Sequence, residues 1–372
     1  TIIISEHKID EIIDFISRIL VLKKGKIAFV GPSQELFYSR VPEIAGIGYP
    51  KVVSLANNIS FNMRPVSSRE LIDYLKQIHN IEFKSTKSAY LPRESLNKTS
   101  LEKILIVRDI WFKYNREWVL KGISFDAFQG EFIALMGSNG AGKTTLARVI
   151  SGFLKPQKGH VFVNGMDVTV KGFKDAVGRI VYVPQNPEDI IFNSTVFDEI
   201  AFSLRNMGYN ERGVRKLVIE AAKKFRIEHL LSESPYSISG GEKLRVVLAS
   251  LYVMRPKIFI LDEPTRGLDW KSKMMLLREL LRLKEGGGLI ILITHDVELI
   301  AESPVNRVIV MHEGQILSAG SKREILSSSE ILNAGLLHPK VCEIMNSLGY
   351  KGVVTLEEAI QILSEVTTYV RK

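Results

Sequence analysis

The stretch Gly137-Ser138-Asn139-Gly140-Ala141-Gly142-Lys143-Thr144 decides how this sequence folds, and Thr145 directly follows it. It comes after the apolar run 132–136, which is typical of a buried strand, and before a segment whose apolar residues recur with helical spacing. A strand, a glycine-rich turn and a helix in this order form the setting in which such a turn binds phosphate. The glycines let backbone N–H groups curl around phosphate oxygens, and the helix N-terminus adds partial positive charge. The sequence therefore predicts a site for a nucleoside triphosphate.

Two side chains of this loop have predicted roles of their own. Lys143 is expected to reach the β- and γ-phosphates, and the Thr144 hydroxyl is expected to bind Mg²⁺. The alternative is a glycine-rich turn without a ligand, which the flanking strand and helix disfavour.

The composition narrows the class of protein. At 372 residues with 45% hydrophobic content, the chain exceeds one ordinary domain. No apolar run approaches the length of a membrane-spanning helix, and the single cysteine, Cys342, excludes disulfide frameworks and Cys-rich metal sites. The net charge of +9 is spread along the chain, which favours a basic solvated surface over a nucleic-acid site. We therefore expect a soluble intracellular protein with no direct nucleic-acid partner.

The beginning of the chain repeats its end. Four segments recur at an offset of 288 or 289 residues: 2–7 matches 290–295, 18–27 matches 307–316, 46–52 matches 335–341, and 66–70 matches 354–358. Chance similarity between two strand–loop–helix segments is the alternative, but the nearly constant offset argues against it. The repeat also aligns His7 with His295, so both units would carry the same histidine.

The repeat predicts a domain organisation. We interpret 1–83 as the C-terminal remnant of a first unit with its helical extension, 84–103 as a polar linker, 104–335 as a complete unit and 336–372 as its helical extension. On this interpretation the first unit lacks about 185 residues. The first residue is Thr1 rather than methionine, so we expect a truncated tandem protein.

A pair of carboxylates follows another apolar run. Residues 258–261 are typical of a buried strand, and Asp262 and Glu263 come directly after them. The end of a strand aims such side chains at a ligand bound on the same edge of the sheet. One carboxylate can hold the Mg²⁺ shell while the other orients water, as phosphoryl transfer requires. A strand followed by a polar turn is the alternative, but the position downstream of a phosphate loop favours the functional interpretation.

A second set of small residues precedes a helical stretch. Ser239, Gly240 and Gly241 come before apolar residues with helical spacing. Small residues at a helix N-terminus can form an anion site, although Ser-Gly-Gly is also a common N-cap and turn.

Together these motifs resemble those of the ATP-binding-cassette (ABC) ATPases over residues 104–335. Besides the phosphate loop, the resemblance rests on Gln185 (Q-loop), 238–242 (signature), Asp262-Glu263 (Walker B), Gly267-Leu268-Asp269 (D-loop) and Thr294-His295 (switch). It implies an α/β, P-loop NTPase fold: a RecA-like core with an antiparallel β subdomain, a helical subdomain at about 187–250, and a small C-terminal helical extension.

The resemblance further implies an ATP hydrolase in which two units form a head-to-tail dimer. ATP would lie between the phosphate loop of one unit and the signature of the other. The implied nucleotide contacts are Tyr114 on the adenine, Gly137, Ser138, Asn139, Gly140, Ala141, Gly142, Lys143, Thr144, Thr145, Ser239, Gly240, Gly241 and Asp269.

Catalytic and metal roles follow from the same resemblance. Glu263 would act as general base toward water, His295 would contact the γ-phosphate, and Gln185 would join Mg²⁺ and signal to a membrane partner. The implied Mg²⁺ ligands are Thr144, Gln185 and Asp262. From the residues alone, Tyr114 could instead be a core aromatic, His295 a capping histidine and Gln185 a polar loop residue.

Two residues depart from the family pattern. Glu242 ends the signature where glutamine is more frequent, and Arg266 precedes the D-loop where serine is commoner. Glu242 adds negative charge near an anion site, so we expect it to tune binding of the opposite ATP rather than abolish it.

The Q-loop region indicates a subclass. Residues 185–202 are similar to those of energy-coupling-factor and cobalt-type importers, and 335–372 resemble the helical extension of that group, which recurs at 46–80. This implies docking at the cytoplasmic face of the cell membrane onto a transmembrane coupling subunit, which works with a separate substrate-binding membrane protein. Five apolar residues beside Gln185 could receive a partner helix, and we expect about half of them to be buried: Phe192, Val196, Phe197, Ile200 and Phe202.

Two soluble classes of ABC ATPase fit the sequence less well. Soluble ABC ATPases of DNA repair carry a long coiled-coil insert between phosphate loop and Walker B, for which the interval from Thr145 to Asp262 is too short. The ribosome-recycling type needs a Cys-rich Fe–S domain, which one cysteine cannot supply. A soluble tandem ABC ATPase acting on ribosome or nucleic acid, or an ABC transporter of another class, is the remaining alternative.

Overall fold

The computed structural model describes residues 2–5, 9–59, 63–78, 102–171 and 178–370. Within these residues it confirms the expected α/β fold, with a mixed central sheet, an antiparallel sheet and a helical layer. His7 and most of the predicted linker 84–103 lie outside the described residues.

The strands are β1 (Ile19–Lys23), β2 (Lys26–Gly31), β3 (Lys103–Tyr114), β4 (Glu117–Phe128), β5 (Phe132–Met136), β6 (Lys158–Val163), β7 (Met166–Asp167), β8 (Ile180–Val183), β9 (Ile258–Asp262), β10 (Leu289–Ile293), β11 (Arg307–His312) and β12 (Gln315–Ser321). The α-helices are α1 (Ile9–Ile12), α2 (Ser33–Phe37), α3 (Val41–Ala45), α4 (Lys51–Asn58), α5 (Ser68–Ile78), α6 (Lys143–Ile150), α7 (Val168–Lys171), α8 (Val196–Asn206), α9 (Glu211–Phe225), α10 (Gly240–Tyr252), α11 (Trp270–Glu285), α12 (Val297–Glu302), α13 (Lys322–Leu326), α14 (Glu330–Asn333), α15 (Lys340–Ser347) and α16 (Leu356–Val370). Short 3₁₀ turns occupy Ile13–Phe15, Pro187–Ile190 and Glu228–Leu230.

The central sheet has the strand order β12-β11-β5-β10-β9-β8. The five strands from β11 to β8 are parallel, and β12 adds an antiparallel edge through its hairpin with β11. Every residue of β5, β9 and β10 is buried, because parallel strands are covered on both faces. The carboxyl ends of β5, β8, β9 and β10 therefore meet at one edge of the sheet.

The antiparallel sheet has the order β4-β3-β6-β7 and packs against the central sheet. Leu105 and Val107 of β3 belong to the same buried cluster as Ile133 and Leu135 of β5. The sheet begins at Lys103, one residue before the boundary expected from the sequence.

Three helices, α8, α9 and α10, form the helical layer between β8 and β9. Their starts are capped: the Thr195 side chain accepts from the Asp198 N–H, and the Asn210 side chain accepts from the Gly213 N–H. Their apolar faces are buried in the main core cluster of the chain. Of the five apolar residues expected beside Gln185, Val196 and Ile200 are buried, Phe197 is half-buried, and Phe192 and Phe202 are exposed.

The sequence repeat corresponds to repeated local structure. Hairpin β1–β2 matches hairpin β11–β12, including a register shift after Val21 in one and after Val310 in the other. Helices α4 and α15 both contain eight residues and begin after a proline, Pro50 or Pro339. The segments on either side of the complete unit thus share one fold pattern.

Candidate nucleotide site

Four of the predicted motifs lie at the carboxyl edge of the central sheet. The phosphate loop follows β5, Gln185 follows β8, Glu263 follows β9 and His295 follows β10. The strand register brings them together, since Ile293 near the end of β10 pairs with both β5 and β9. Ligands of parallel α/β sheets bind outside this edge.

The backbone conformation of the phosphate loop requires glycine at two positions. Gly137 has φ +146°, and a Cβ there would lie 2.2 Å from the carbonyl oxygen of Met311. Gly142 has φ +98°, and its Cβ would lie 3.0 Å from the carbonyl oxygen of Val119. A side chain is disfavoured at both positions by the positive φ and by the neighbouring backbone.

Lys143 folds back over the loop that precedes it. Its Nζ donates to the carbonyl oxygens of Gly137, at 2.8 Å, and Ser138, at 2.9 Å. Burial lowers the pKa of Lys143, while the carboxylates of Glu263 and Asp262 oppose that shift. The ammonium group is therefore held at the loop, where it can act as the counter-charge of a polyphosphate.

Two backbone N–H groups of the phosphate loop donate to carbonyl oxygens of the chain itself. The Ser138 N–H donates to the carbonyl oxygen of Ala334 at 3.2 Å, and the Ala141 N–H donates to Ser138 O at 3.2 Å. The end of the complete unit packs on the loop here, since a Cβ on Gly335 would lie 3.4 Å from that of Ser138. The N–H groups of Ser138 and Ala141 are therefore hydrogen-bonded within the chain.

The remaining loop residues differ in exposure. Asn139 and Gly140 are exposed at the tip of the loop, whereas Ala141 and Thr145 are buried. Thr145 lies in the first turn of α6.

Two residues that the sequence analysis missed support the Walker B aspartate. Tyr182 of β8 donates its hydroxyl to Oδ2 of the buried Asp262 at 2.9 Å. Burial, together with the Asp262 carboxylate, raises the pKa of Tyr182 to about 12, so the phenol remains a donor at neutral pH. Arg148 of α6 is hydrogen-bonded to Tyr182, and also to Tyr114, and these bonds raise the pKa of Arg148. The sequence signal that could have found Tyr182 is its position three residues before Gln185.

Glu263 and His295 contact each other. Oε1 of Glu263 lies 2.8 Å from Nδ1 of His295. The Glu263 backbone has φ 47°, an uncommon conformation for a residue with a side chain. Its N–H donates to the carbonyl oxygen of Ile293 at 2.9 Å, which holds it in place. Such strain is concentrated at functional sites, and the pairing suits a base oriented by an imidazole.

The three expected Mg²⁺ ligands lie close to the ends of β8 and β9 and to the start of α6. Asp262 is the last residue of β9, Thr144 is half-buried in the first turn of α6, and Gln185 is exposed after β8. Hydroxyl, amide and carboxylate oxygens suit Mg²⁺, which usually takes few carboxylates and completes its shell with phosphate and water. The oxygen donors of these three residues therefore fit Mg²⁺. The described ranges contain no group of three or more His, Cys, Asp or Glu residues that could hold a metal.

The signature lies at the start of α10 in the helical layer. Ser239 is the N-cap of α10, and Gly240 and Gly241 are its first residues. Oε2 of Glu242 accepts from the Ser239 N–H at 2.9 Å and from its hydroxyl at 2.6 Å. These bonds lower the pKa of Glu242. The carboxylate therefore turns back on its own helix start, where it engages the Ser239 donors.

Asp269 and Tyr114 have contacts within the chain. Asp269 caps α11, its Oδ1 accepting from the Ser272 N–H at 2.7 Å. Tyr114 ends β3 with 46% of its surface exposed and packs edge-on against Phe112, the ring centroids 4.9 Å apart. Its exposed ring leaves a face on which a base could stack.

A cavity of about 480 Å³ adjoins the catalytic candidates. Glu263, His295 and the D-loop line one part of it, and Asp10 and Lys51 of the first repeat line another. Glu298 of α12 also faces this cavity. The first repeat thus contributes to the surroundings of the catalytic candidates of the complete unit.

The protonation of Glu298 should make the stability of the fold depend on pH. Burial raises the pKa of Glu298 to about 7; the Lys340 N–H and Lys51 oppose this, while Asp10 and Asp296 add to it. Because the folded carboxyl binds its proton more tightly than the unfolded one, its contribution is present below about pH 4.5 and is lost as pH rises to about 7. We expect Glu298→Gln to be more stable than the parent at pH 8 by about 2–3 kcal/mol, and equal to it near pH 4.5.

Urea unfolding across this pH range measures the difference. The exposed Glu365→Gln is the matched control and should track the parent at every pH. Parallel pH profiles of the Glu298→Gln variant and the parent would contradict the assignment.

The chain is similar to known proteins. A profile of the ABC transporter family matches residues 120–266. A protein of Pyrococcus horikoshii with the provisional name ABC transporter ATP-binding protein is 35% identical over 257 residues, covering 69% of this chain and 98% of that protein. One of the same provisional name from Caldanaerobacter subterraneus subsp. tengcongensis is 35% identical over 368 residues, 97% of this chain.

The solved structures include similar single units. The structure of cbiO1 from Clostridium perfringens, part of the ABC transporter complex cbiONQ, is 33% identical with a TM-score of 0.58. The similar region covers 66% of this chain and 99% of cbiO1. The chain spans 64% and 62% of the length of the first two curated relatives. Across the described residues, none of the helices combines the length and apolar character that a bilayer span requires.

Proposed function

Because the chain belongs to the ABC transporter ATP-binding family, whose members bind and hydrolyse ATP, we propose that it powers an ABC importer of the energy-coupling-factor or cobalt type. Two ABC units would close on ATP and reopen after hydrolysis. The observation that carries this proposal is the meeting of the phosphate loop, Asp262, Glu263 and His295 at one sheet edge. These residues are of the types that phosphoryl transfer to water requires.

Each residue has a distinct task in this proposal. Lys143 would neutralise phosphate charge, and Glu263 would take the proton of the attacking water. His295, which contacts Glu263, would contact the γ-phosphate. The hydrogen bond from the Tyr182 hydroxyl orients Asp262, which would bind Mg²⁺ together with Thr144 and Gln185. Mg²⁺ supplies charge neutralisation between the phosphates when bound. The signature residues Ser239, Gly240 and Gly241, with Asp269, would contact the ATP of another unit.

An exposed apolar face supports the pairing of two units. Leu20 and Leu22 of β1 are 53% and 66% exposed, whereas their repeat partners Ile309 and Met311 are 1% and 0% exposed in β11, which pairs with β5. Ile2, Ile3 and Ile4, which match the buried strand β10, are also exposed. Such an exposed apolar face would be buried in the core of a first ABC unit. The residues that cover it would come from the remainder of the first repeat or from a second copy of the chain. We propose 1–83 as part of that unit.

A rigid aromatic pair supports a membrane partner. The rings of Phe192 and Phe202 stand edge to face at 4.6 Å and are 58% and 41% exposed. The Tyr236 hydroxyl donates to the carbonyl oxygen of Ile191 at 3.0 Å, which fixes the neighbouring backbone. Such exposed aromatic pairs anchor partner helices. We propose that a transmembrane coupling subunit docks here at the cytoplasmic face of the membrane, together with a substrate-binding membrane protein.

Removing the aromatic pair should uncouple the chain from its membrane partner. We expect Phe192→Ala/Phe202→Ala to weaken co-purification with a transmembrane protein from host membranes at least about tenfold. ATP binding should be unchanged, because neither ring belongs to the phosphate site. The exposed apolar Leu332→Ala is the matched control. Partner recovery undiminished in the double variant, or capture of nucleic acid in place of a membrane protein by the parent, would contradict the transporter assignment.

A further inference from the structure

A buried ion pair connects the helix that follows the D-loop with the helix that follows the switch histidine. Nζ of Lys273, near the start of α11, donates to Oδ2 of Asp296 at 2.6 Å. Asp296 comes directly after His295 and is the N-cap of α12. The side chains of Lys273 and Asp296 are only 9% and 8% exposed. Neither residue has a role in the hydrolysis proposed for Glu263 and His295.

The position of Asp296 is fixed by three hydrogen bonds. Its Oδ1 accepts from the Leu299 N–H at 3.0 Å and so caps α12, while its Oδ2 accepts from Lys273. Its own N–H donates to Oγ1 of Thr294 at 3.1 Å, and Thr294 is fully buried. His295 therefore lies between two residues that are themselves held in place.

The position of Lys273 is fixed by the D-loop and by the core. Its N–H donates to the carbonyl oxygen of Asp269 at 3.0 Å, in the first turn of the helix that Asp269 caps. The next turn of α11 buries Leu276 and Leu277 in the main core cluster. The ammonium group of Lys273 thus extends to Asp296 from a helix that is anchored at its start and along one face.

The segments after β9 and β10 are consequently joined at two places. One is the 2.8 Å contact between Glu263 and His295, and the other is the pair formed by Lys273 and Asp296. The His295 side chain is 47% exposed, so packing alone does not fix its ring. Desolvation offsets most of the attraction within a buried ion pair, and the main physical effect of this one is therefore to set geometry rather than to strengthen the fold.

We propose that Lys273 and Asp296 are positioning residues for ATP hydrolysis. Their ion pair holds the switch against the D-loop helix, and it thereby keeps His295 where its imidazole meets Glu263. The inference rests on the roles proposed for Glu263 and His295. A displacement of about 1 Å at a reacting group can lower a rate by about 10²-fold. Because neither member of the pair contacts the nucleotide, its loss should slow the chemical step and leave ATP affinity unchanged.

Neutral replacements in the intact chain separate positioning from stability. Lys273→Met retains the apolar stem, and Asp296→Asn retains a side-chain oxygen that can cap α12. Each single change leaves one buried charge unpaired and should lower the midpoint of urea unfolding, whereas the double change removes both charges and should restore it. We expect the double variant to keep the ATP affinity of the parent but to hydrolyse ATP with a kcat about tenfold lower. Parental kcat in the double variant would overturn the proposal, since a merely structural pair regains activity together with stability.

A cycle with His295→Ala tests whether the pair acts through the histidine. In that background the double change should lower the single-turnover rate by less than about twofold, because no imidazole remains to be positioned. An equal loss in both backgrounds would mean that the pair does not act through His295. The exposed Lys271→Met makes the same charge change on α11 and should hydrolyse ATP as the parent does.

The same cycle distinguishes this inference from the proposed function. Parental turnover in His295→Ala would contradict the role proposed for the switch histidine, and the positioning role with it. Reduced turnover in His295→Ala, together with parental turnover in the double variant of Lys273 and Asp296, would contradict the positioning role alone.

Discussion

Replacement of Glu263 by glutamine is expected to lower kcat for ATP hydrolysis by about 10²–10⁴-fold, the usual contribution of a general base. ATP affinity should be retained, because the amide keeps the size and position of the carboxylate. With hydrolysis blocked, two ABC units should remain closed on ATP and sediment as a stable pair. The expectation depends on the placement of Glu263 at the end of β9 and on its 2.8 Å contact with His295.

Single-turnover hydrolysis and analytical ultracentrifugation with Mg-ATP measure these effects. Glu313→Gln is a suitable control, since Glu313 also has a left-handed backbone, at φ 46°, but lies exposed in the β11–β12 turn. The control should retain parental turnover. Undiminished turnover in Glu263→Gln would remove the general-base assignment.

The positions of the phosphate loop, the Walker B pair and the switch histidine could be predicted because each of them comes after an apolar run. The runs 132–136, 258–261 and 289–293 are long enough only for strands, and parallel strands end at a common edge. The sequence could therefore place Lys143, Glu263 and His295 near one another without any knowledge of side-chain geometry. It could not predict that His295 and Glu263 touch, because that depends on rotamers and on the positive φ of Glu263.

Contacts between distant parts of the chain were harder to predict from the sequence. Lys51 and Glu302 form an ion pair although they are separated by 251 residues, and neither stands in a recognisable motif. The repeat alignment identifies Lys340 as the counterpart of Lys51, but periodicity alone does not reveal that each lysine pairs across the repeats rather than within its own. Tyr182 was missed for a similar reason, since half-buried tyrosines on strands are common and only its 2.9 Å bond to Asp262 distinguishes it.

The Glu242 carboxylate of the signature could affect the opposite ATP through its charge or through the hydrogen bonds that it accepts from Ser239. Glu242 was expected to tune the opposite ATP site through its charge. In the structure that carboxylate binds the Ser239 N–H and hydroxyl, the groups that the family resemblance assigns to ATP. Tuning by competition for these donors stays a prediction, and it has a clear physical basis because a donor hydrogen bonded to a carboxylate is not free for phosphate.

Lys143→Ala is expected to weaken ATP binding by about 10²-fold, since it removes a charged hydrogen-bond donor to the phosphates. The same change frees the carbonyl oxygens of Gly137 and Ser138, which Nζ now binds. Part of the loss could therefore come from a distorted loop. Lys143→Met separates the two effects, because it retains an apolar stem of similar length to fill the buried space beneath the loop.

Equilibrium binding of a fluorescent ATP analogue, compared with thermal unfolding of each variant, measures both contributions. The exposed Lys155→Ala is the matched control, and it should bind ATP as the parent does. If the charge dominates, the Met and Ala variants should lose affinity equally even though only the Ala variant loses stability. Normal affinity in Lys143→Met would mean that the ammonium group is not the counter-charge of the triphosphate, and that the glycine-rich backbone alone accounts for binding.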